Sequence, residues 1–122
     1  DDGSYGEKGF VTDALRKVLS QDNFARVIAI GPLVMMKAVS EVTREFGVKT
    51  IVSLNPIMVD GTGMCGACRV EVGGETRFAC VDGPEFDGHQ VDWNLAQQRA
   101  RMFLAQEKIA DEARGGGCRC QK

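Results

Sequence analysis

Three cysteines in a glycine-rich segment constrain the fold of this chain more than any other feature of its sequence. Asp60 is followed by Cys65, Cys68 and Cys80, with four, two and eleven residues between successive positions. Three glycines lie among the first three of these positions, namely Gly61, Gly63 and Gly66. Glycine gives a loop the φ freedom to wrap around a bound group. The segment therefore predicts a loop that brings thiols together, with Cys80 returned to it by the chain that follows.

The cysteine count favours a metal site over a disulfide framework. The chain has five cysteines, an odd number, whereas a secreted disulfide scaffold normally shows even pairing. Residues 1–6 predict a turn-rich loop, so we expect no secretory leader at this end, and we expect further sequence upstream because the chain does not begin with Met. A metal site in a reducing compartment follows, with a cytoplasmic location as the expectation.

Composition excludes two classes of partner. The formal net charge is −2, which lacks the positive footprint of a nucleic-acid binder. No apolar run approaches the ~20 residues that span a bilayer. Hydrophobic residues make up 43% and charged residues 26% of the 122-residue chain, as in ordinary globular domains. We therefore expect neither nucleic acid nor membrane as a partner.

The first half of the chain predicts an alternation of helices and strands. Thr12 is the expected N-cap of a helix of about ten residues, and the apolar run 27–30 predicts a buried strand. A second helix is expected from Pro32 to Gly47, followed by a strand over 49–54. This order is typical of one half of a doubly wound α/β sheet. We expect the missing strands to come from upstream sequence or from a partner chain.

The second half predicts a β-hairpin and a helix. Residues 69–72 and 76–79 alternate polar and apolar side chains on either side of a Gly-Gly pair, which is a hairpin signal. Residues 82–90 predict a loop. From Asp92, an N-cap candidate, one helix is expected to about residue 113. The predicted domains are a partial nucleotide-binding α/β domain (1–54), a metal-binding lobe (55–91), and a C-terminal helix with a flexible tail (92–122).

The cysteine spacing matches an iron–sulfur motif. Thiolates suit iron–sulfur clusters because they are soft donors, and the plant-type 2Fe-2S spacing is C-x4-C-x2-C with a later fourth Cys. Asp60 stands at the first position of that pattern, and its carboxylate can bind iron as a harder donor. We therefore predict a 2Fe-2S cluster held by Asp60, Cys65, Cys68 and Cys80.

Other interpretations of the same residues stay open at this point. The cysteines could bind structural zinc with Asp60 or His89 as the fourth ligand, or they could be unligated and buried. Asp60 could instead cap a turn in its loop. His89, the single histidine, is expected to be solvated in a loop. Cys118 and Cys120 are expected to lie in the tail, outside the site.

Two segments resemble a known family. They are residues 52–70, VSLNPIMVDGTGMCGACRV, continued by residues 78–86, FACVDGPEF, and residues 29–39, AIGPLVMMKAV. Both resemble the electron-transfer subunits related to that of dihydroorotate dehydrogenase, in particular the small subunits of NADH-dependent ferredoxin:NADP oxidoreductases, also known as sulfide dehydrogenase subunits. The resemblance covers residues 1 to about 93.

This resemblance implies a ferredoxin-reductase-like subunit with an FAD-binding barrel, an NAD(P)-binding α/β domain and a 2Fe-2S lobe. The chain would hold the second half of the α/β domain and the lobe, and most of the FAD site would lie elsewhere. Cys65, Cys68 and Cys80 match cluster cysteines. Asp60 stands where dihydroorotate-type subunits have Cys and where bifurcating-type subunits have Asp.

The resemblance also implies a nucleotide site. Gly31, Pro32 and Met35 match a strand-to-helix turn beside the nicotinamide nucleotide. Many relatives have Cys directly before this Gly-Pro pair, where this chain has Ile30. Residues Asp2, Gly3 and Ser4 match a loop near the nucleotide ribose, although a solvated turn is an alternative interpretation for them.

The expected function is electron transfer. Electrons would pass from NAD(P)H through FAD and the 2Fe-2S cluster to or from a larger flavoprotein or iron–sulfur subunit, with ferredoxin as a further partner. No side chain has the setting of a general base or nucleophile, so we expect no catalytic residue, and we expect the chain to be inactive by itself. A zinc-stabilised interaction module without a redox role is the alternative.

Overall fold

The computed structural model describes residues 4–6 and 8–114 and shows a mixed α/β fold. Its elements in chain order are α1 Val11–Gln21, β1 Val27–Ala29, α2 Leu33–Glu45, β2 Thr50–Ser53, β3 Arg69–Val72, β4 Glu75–Phe78, β5 Glu85–Asp87, α3 Trp93–Ala100 and α4 Leu104–Ala113. The predicted order of helix, strand, helix and strand in the first half is confirmed. None of the described helices combines the length and the apolar character that a bilayer crossing requires.

The main sheet has three strands in the order β1-β2-β5. β1 and β2 are parallel, with Ile28 opposite Ile51, as predicted for an α/β unit. β5 pairs antiparallel with β2 and sets Phe86 opposite Val52. The prediction of a loop over residues 82–90 was therefore wrong at β5. This strand has only three residues between turn-forming glycines, so it is too short for a periodicity to show in sequence.

Helix ends follow local chemistry, with one departure from prediction. Gly47 has φ +66° and follows α2, and the N–H groups of Gly47 and Val48 donate to the carbonyls of Arg44 and Thr43 at 3.1 and 3.0 Å. This pair of bonds is a Schellman motif, and it confirms the prediction that the helix ends at Gly47. α1 begins at Val11 rather than after Thr12. The reason is that the carboxylate of Asp13 accepts the N–H of Phe10 at 3.0 Å, so the N-cap is Phe10 and lies before Thr12.

The core joins the sheet to the hairpin and to α3. Buried apolar side chains from α2, from β2 and the residue after it, from β3 and from the start of α3 form one cluster: Met36, Val39, Val52, Leu54, Val70 and Trp93. The predicted hairpin is present, with β3 and β4 antiparallel. The domain boundaries at 54/55 and 91/92 stay predictions, and β5 adds a strand to the main sheet from within residues 55–91.

The C-terminal helix is interrupted. The prediction of one helix from Asp92 to about residue 113 was wrong, because α3 ends at Ala100 and α4 begins at Leu104. Three consecutive apolar residues, 102–104, lie at this break, and adjacent positions on a helix cannot share one face. Trp93 is the buried residue of α3, and α4 has none. The glycine run 115–117 and the tail cysteines Cys118 and Cys120 lie outside the described residues.

Candidate functional site

The glycine-rich segment forms an irregular loop between β2 and β3. Gly61, Gly63 and Gly66 have φ values of +75°, +82° and +66°, which are left-handed conformations that favour glycine. Gly63 is also tightly packed, since a Cβ there would lie 3.1 Å from a methyl carbon of Val81. The loop is therefore closed against the segment that contains Cys80.

The hairpin brings two of the predicted metal-ligating cysteines together. Cys68 lies directly before β3, and Cys80 lies two residues after β4. The N–H of Ala79 donates to the Cys68 carbonyl at 3.1 Å and extends the pairing of the two strands. The two Sγ atoms are 3.2 Å apart. Cys68 is 2% exposed and Cys80 is half-buried, so this pair faces inward.

Hydrogen bonds favour ionisation of one member of this pair. Burial raises the pKa of the Cys68 thiol, but hydrogen bonds from the backbone and side chain of Cys80 and from the N–H of Ala79 outweigh burial and lower that pKa. The same side-chain bond raises the pKa of Cys80, although the N–H of Gly63 directed at its sulfur acts the other way. Within this pair, the pKa of Cys68 is therefore the lower one, and the thiolate is the form that binds metals.

The other two predicted ligands, Asp60 and Cys65, are also neighbours. The carboxylate of Asp60 accepts the N–H of Thr62 at 2.8 Å and the N–H of Cys65 at 3.0 Å. Its pKa is lowered first by the Thr62 N–H, and the Cys65 side chain also bonds to it. Cys65 is exposed. Asp60 thus caps its loop, as one interpretation of the sequence held, and lies beside a thiol at the same time.

The four candidate ligands consequently lie as two pairs, Asp60 with Cys65 and Cys68 with Cys80. Among the residues that the structure describes, no three Cys, His, Asp or Glu side chains converge as ligands of a single ion. A 2Fe-2S cluster takes two protein ligands on each of its irons. Two donor pairs, each with at least one thiol, match that requirement in the number and type of their ligands.

The predicted nucleotide residues occupy the turn from β1 to α2. Gly31 has φ +157°, and the terminal methyl of Met35 lies against the position that a Cβ on Gly31 would take. Pro32 is the N-cap of α2. Ser4 lies in an exposed bend, and Asp2 and Gly3 lie outside the described residues. The roles of all these residues in nucleotide binding stay predictions.

A cavity that the sequence did not predict lies beside the ligand loop. It has a volume of about 470 Å³ and a mostly apolar lining, which includes Leu33, Leu54, Pro56, Ala67, Arg99 and Phe103. Leu33 and Leu54 follow β1 and β2, so the cavity lies at the carboxyl ends of the parallel strands, where α/β sheets bind ligands. Its lining comes from several separate elements, and no local sequence pattern connects them.

His89 is part of the packing rather than a solvated loop residue. It is half-buried, and its Nε2 lies 3.0 Å from the hydroxyl oxygen of Thr43, which also accepts a bond from the Thr50 hydroxyl. Arg44 donates to the His89 carbonyl. The prediction of a solvated histidine was wrong because these partners come from α2 and β2, far away in sequence.

Comparison with known proteins matches one segment of the chain to a family domain. Residues 55–92 match the model of the iron-sulfur cluster binding domain of dihydroorotate dehydrogenase B. The chain is 57% identical over 112 residues to a Thermotoga maritima homolog of the dihydroorotate dehydrogenase B (NAD(+)) electron transfer subunit, covering 92% of this chain and 40% of that protein. It is 41% identical over 91 residues to a probable subunit of the same name from Methanocaldococcus jannaschii, covering 75% of this chain and 35% of the relative.

A solved structure agrees with these relatives. The fold matches, with a TM-score of 0.84 and 57% identity, a chain from work on flavin-based electron bifurcation in NADH-dependent reduced ferredoxin-NADP oxidoreductase. The match covers 93% of this chain and 41% of that one. The chain thus spans less than half the length of each of these relatives.

Proposed function

Because the chain belongs to the family of dihydroorotate dehydrogenase B electron transfer subunits, we propose that it passes electrons between a flavin and a partner redox subunit through a 2Fe-2S cluster. Residues 55–92 match the cluster-binding domain of that family. The observation that supports the proposal most directly is the arrangement of the four donors in two pairs, with the Sγ atoms of Cys68 and Cys80 3.2 Å apart. The zinc-stabilised interaction module is not favoured.

Each pair of donors would hold one iron. Cys68 and Cys80 would bind the iron on the buried side, and Asp60 and Cys65 would bind the exposed one. A 2Fe-2S cluster supplies one-electron exchange, which lets a two-electron flavin communicate with one-electron partners. The protein contributes the loop that fixes its donors and the N–H groups directed at its sulfur atoms, both of which tune the potential.

The nucleotide side of the proposal depends on the turn between β1 and α2. Gly31, Pro32 and Met35 would contact the nicotinamide nucleotide, because a glycine lets a ligand approach the backbone and a helix N-terminus favours phosphate. Asp2, Gly3 and Ser4 would lie near its ribose. The cavity borders both Leu33, beside this turn, and Ala67, in the ligand loop. NAD(P)H and FAD would therefore exchange electrons on the cavity side of the chain.

A partner surface would surround the exposed pair of ligands. Four large apolar side chains on or beside the loop are exposed by 46 to 88%: Met58, Val59, Met64 and Val81. Contiguous exposed apolar surface is typical of sites that bind another protein. A larger flavoprotein or iron–sulfur subunit that covers these side chains would lie next to Cys65, and ferredoxin is the second candidate for this surface.

Reconstitution tests the proposal. The chain is incubated anaerobically with iron and sulfide and desalted, and we expect red-brown protein with about two irons and two sulfides per chain and a visible absorption that dithionite bleaches. Cys68→Ser and Cys80→Ser should each lose most of this absorption. A matched control replaces Cys118 and Cys120 by Ser, outside the family segment, and should retain it. A colourless wild type that binds one zinc would overturn the proposal in favour of the interaction module.

A further inference from the structure

One side chain from α3 reaches into the ligand loop. The guanidinium of Arg99 donates from Nη2 to the carbonyl oxygen of Ala67 at 3.0 Å, across 32 positions of sequence. Ala67 lies between Cys65 and Cys68, and its own N–H donates to the Cys65 sulfur at 3.5 Å. Arg99 therefore contacts the short peptide that joins a ligand of one pair to a ligand of the other.

The helix that presents Arg99 is held firmly at its other end. Asp92 caps α3, since its carboxylate accepts the N–H of Leu95 at 2.9 Å. Trp93 is buried in the core, and its indole N–H donates to the Gly88 carbonyl at 3.0 Å. Arg99 lies in the last turn of this short helix. The contact with Ala67 thus connects the ligand loop to a fixed element of the core.

The charge of Arg99 is directed at the site. Its side chain is half-buried and lines the cavity together with Ala67. The ion pairs found among the described residues involve other side chains, and the Glu107 carboxylate, which lines the same cavity, forms none of them with Arg99. An arginine stays protonated at any ordinary pH. A positive charge beside a group that gains an electron stabilises the reduced form and raises the reduction potential.

We propose that Arg99 is a positioning residue for the cluster, which holds the peptide between Cys65 and Cys68 in its ligating conformation and raises the reduction potential by its charge. This inference rests on the proposed function, because it concerns a cluster bound by those cysteines. It adds a residue that lies outside the matched segment 55–92 and far from the cysteines in sequence. Partners of metal ligands commonly affect metal affinity by about 10-fold or more.

The test compares four reconstituted proteins: wild type, Arg99→Gln, Arg99→Lys and Arg101→Gln. Two quantities are measured, the rate of cluster loss to an iron chelator and the midpoint potential by dye-mediated titration. We expect Arg99→Gln to lose its cluster about 10-fold faster than wild type and to have a more negative potential. Arg99→Lys should lose the cluster faster but keep a potential near that of wild type, because it retains the charge on a side chain one bond too short to reproduce the Nη2 bond to Ala67.

Arg101→Gln is the matched control. It removes the same charge from an exposed residue two positions away, and it should leave both quantities unchanged. Far-UV circular dichroism verifies that each variant is folded. If Arg99→Gln is unfolded, the rate at which Arg99→Lys loses its cluster to the chelator tests the inference in its place. A folded Arg99 variant with the wild-type rate and potential overturns the inference. A wild type that binds no cluster overturns the proposed function instead, so the two failures are distinct.

Discussion

The two carboxylate oxygens of Asp60 are both engaged by its own loop, one by the N–H of Thr62 and the other by the N–H of Cys65. A carboxylate oxygen can accept more than one bond, so these contacts leave lone pairs available for iron. They also hold the group ionised, since the Thr62 N–H lowers its pKa. At the scale of single residues, capping a loop and binding a metal are therefore compatible roles for this side chain.

Substitution of Asp60 separates the two roles. Asp60→Cys should retain a 2Fe-2S cluster but shift its midpoint potential and its EPR signal, because a soft thiolate replaces a harder oxygen donor. Asp60→Asn keeps an acceptor for the Thr62 N–H but removes the charge, so it should cap the loop and bind the cluster weakly. Absorption, EPR and redox titration of the reconstituted variants measure these effects.

Asp82→Asn is the control for these variants. The Asp82 carboxylate accepts the N–H of Phe78 at 2.7 Å in the same lobe, and it is not a proposed ligand. This variant should reconstitute as wild type does. If Asp60→Cys has the potential and EPR signal of wild type, Asp60 is a capping residue only and the fourth ligand must be sought elsewhere.

Among the elements, α3 depends on its cap. Asp92→Ala removes the acceptor for the N–H of Leu95 and should lower the free energy of unfolding by about 1 kcal/mol. Asp92→Asn, which keeps an oxygen acceptor, should lie close to wild type. Chemical denaturation monitored by circular dichroism gives both values. Equal losses in the two variants would show that the charge and not the hydrogen bond stabilises the helix.

The contact of α2 with the segment after β5 requires a glycine. Gly88 is buried, and a Cβ there would collide with Ser40 and lie 2.8 Å from a methyl carbon of Val52. Gly88→Ala should therefore cost about 1–3 kcal/mol of stability through overpacking. Ser40→Ala in the same protein should recover part of that loss, because it removes the nearest hydroxyl. Strictly additive losses in the double variant would mean that Ser40 is not the obstacle.

The features that the sequence predicted correctly at this scale are local. Two of the features that it missed, the start of α1 and the break between α3 and α4, are also local, and the others are not. The hairpin, the Schellman end of α2 and the cap at Asp92 each depend on a few neighbouring residues, and all three are present. The strand β5 exists because β2 offers it an edge. The contacts of Arg99 and His89 span 32 and 46 positions. No periodicity or motif spacing in the sequence predicts contacts between residues so far apart along the chain, so only the folded structure reveals them.

In the described part of the chain, the sheet and α2 lie around a buried core, whereas the ligand loop is largely exposed to solvent. The sheet and α2 enclose the buried cluster around Met36 and Val52, while the ligand loop is an irregular segment with exposed residues. Cluster binding should therefore order the loop and leave the sheet unchanged. Hydrogen exchange with mass spectrometry should show slower exchange over residues 60–68 and 79–82 after reconstitution, and equal exchange over α2 and β2. Slower exchange throughout would mean that the cluster stabilises the entire fold.

The chain leaves the main sheet after Ser53 and rejoins it at Glu85, and these two residues are direct partners in the pairing of β2 with β5. The N–H of Leu54 donates to the Pro84 carbonyl at 2.9 Å, so the exit and the return are held side by side. Everything between them, including all four proposed ligands, is an insertion within a single pair of strands. We therefore expect that the ligands in this insertion can be exchanged while the pairing of β2 with β5 is preserved, as long as Leu54 and Val70 keep their places in the core.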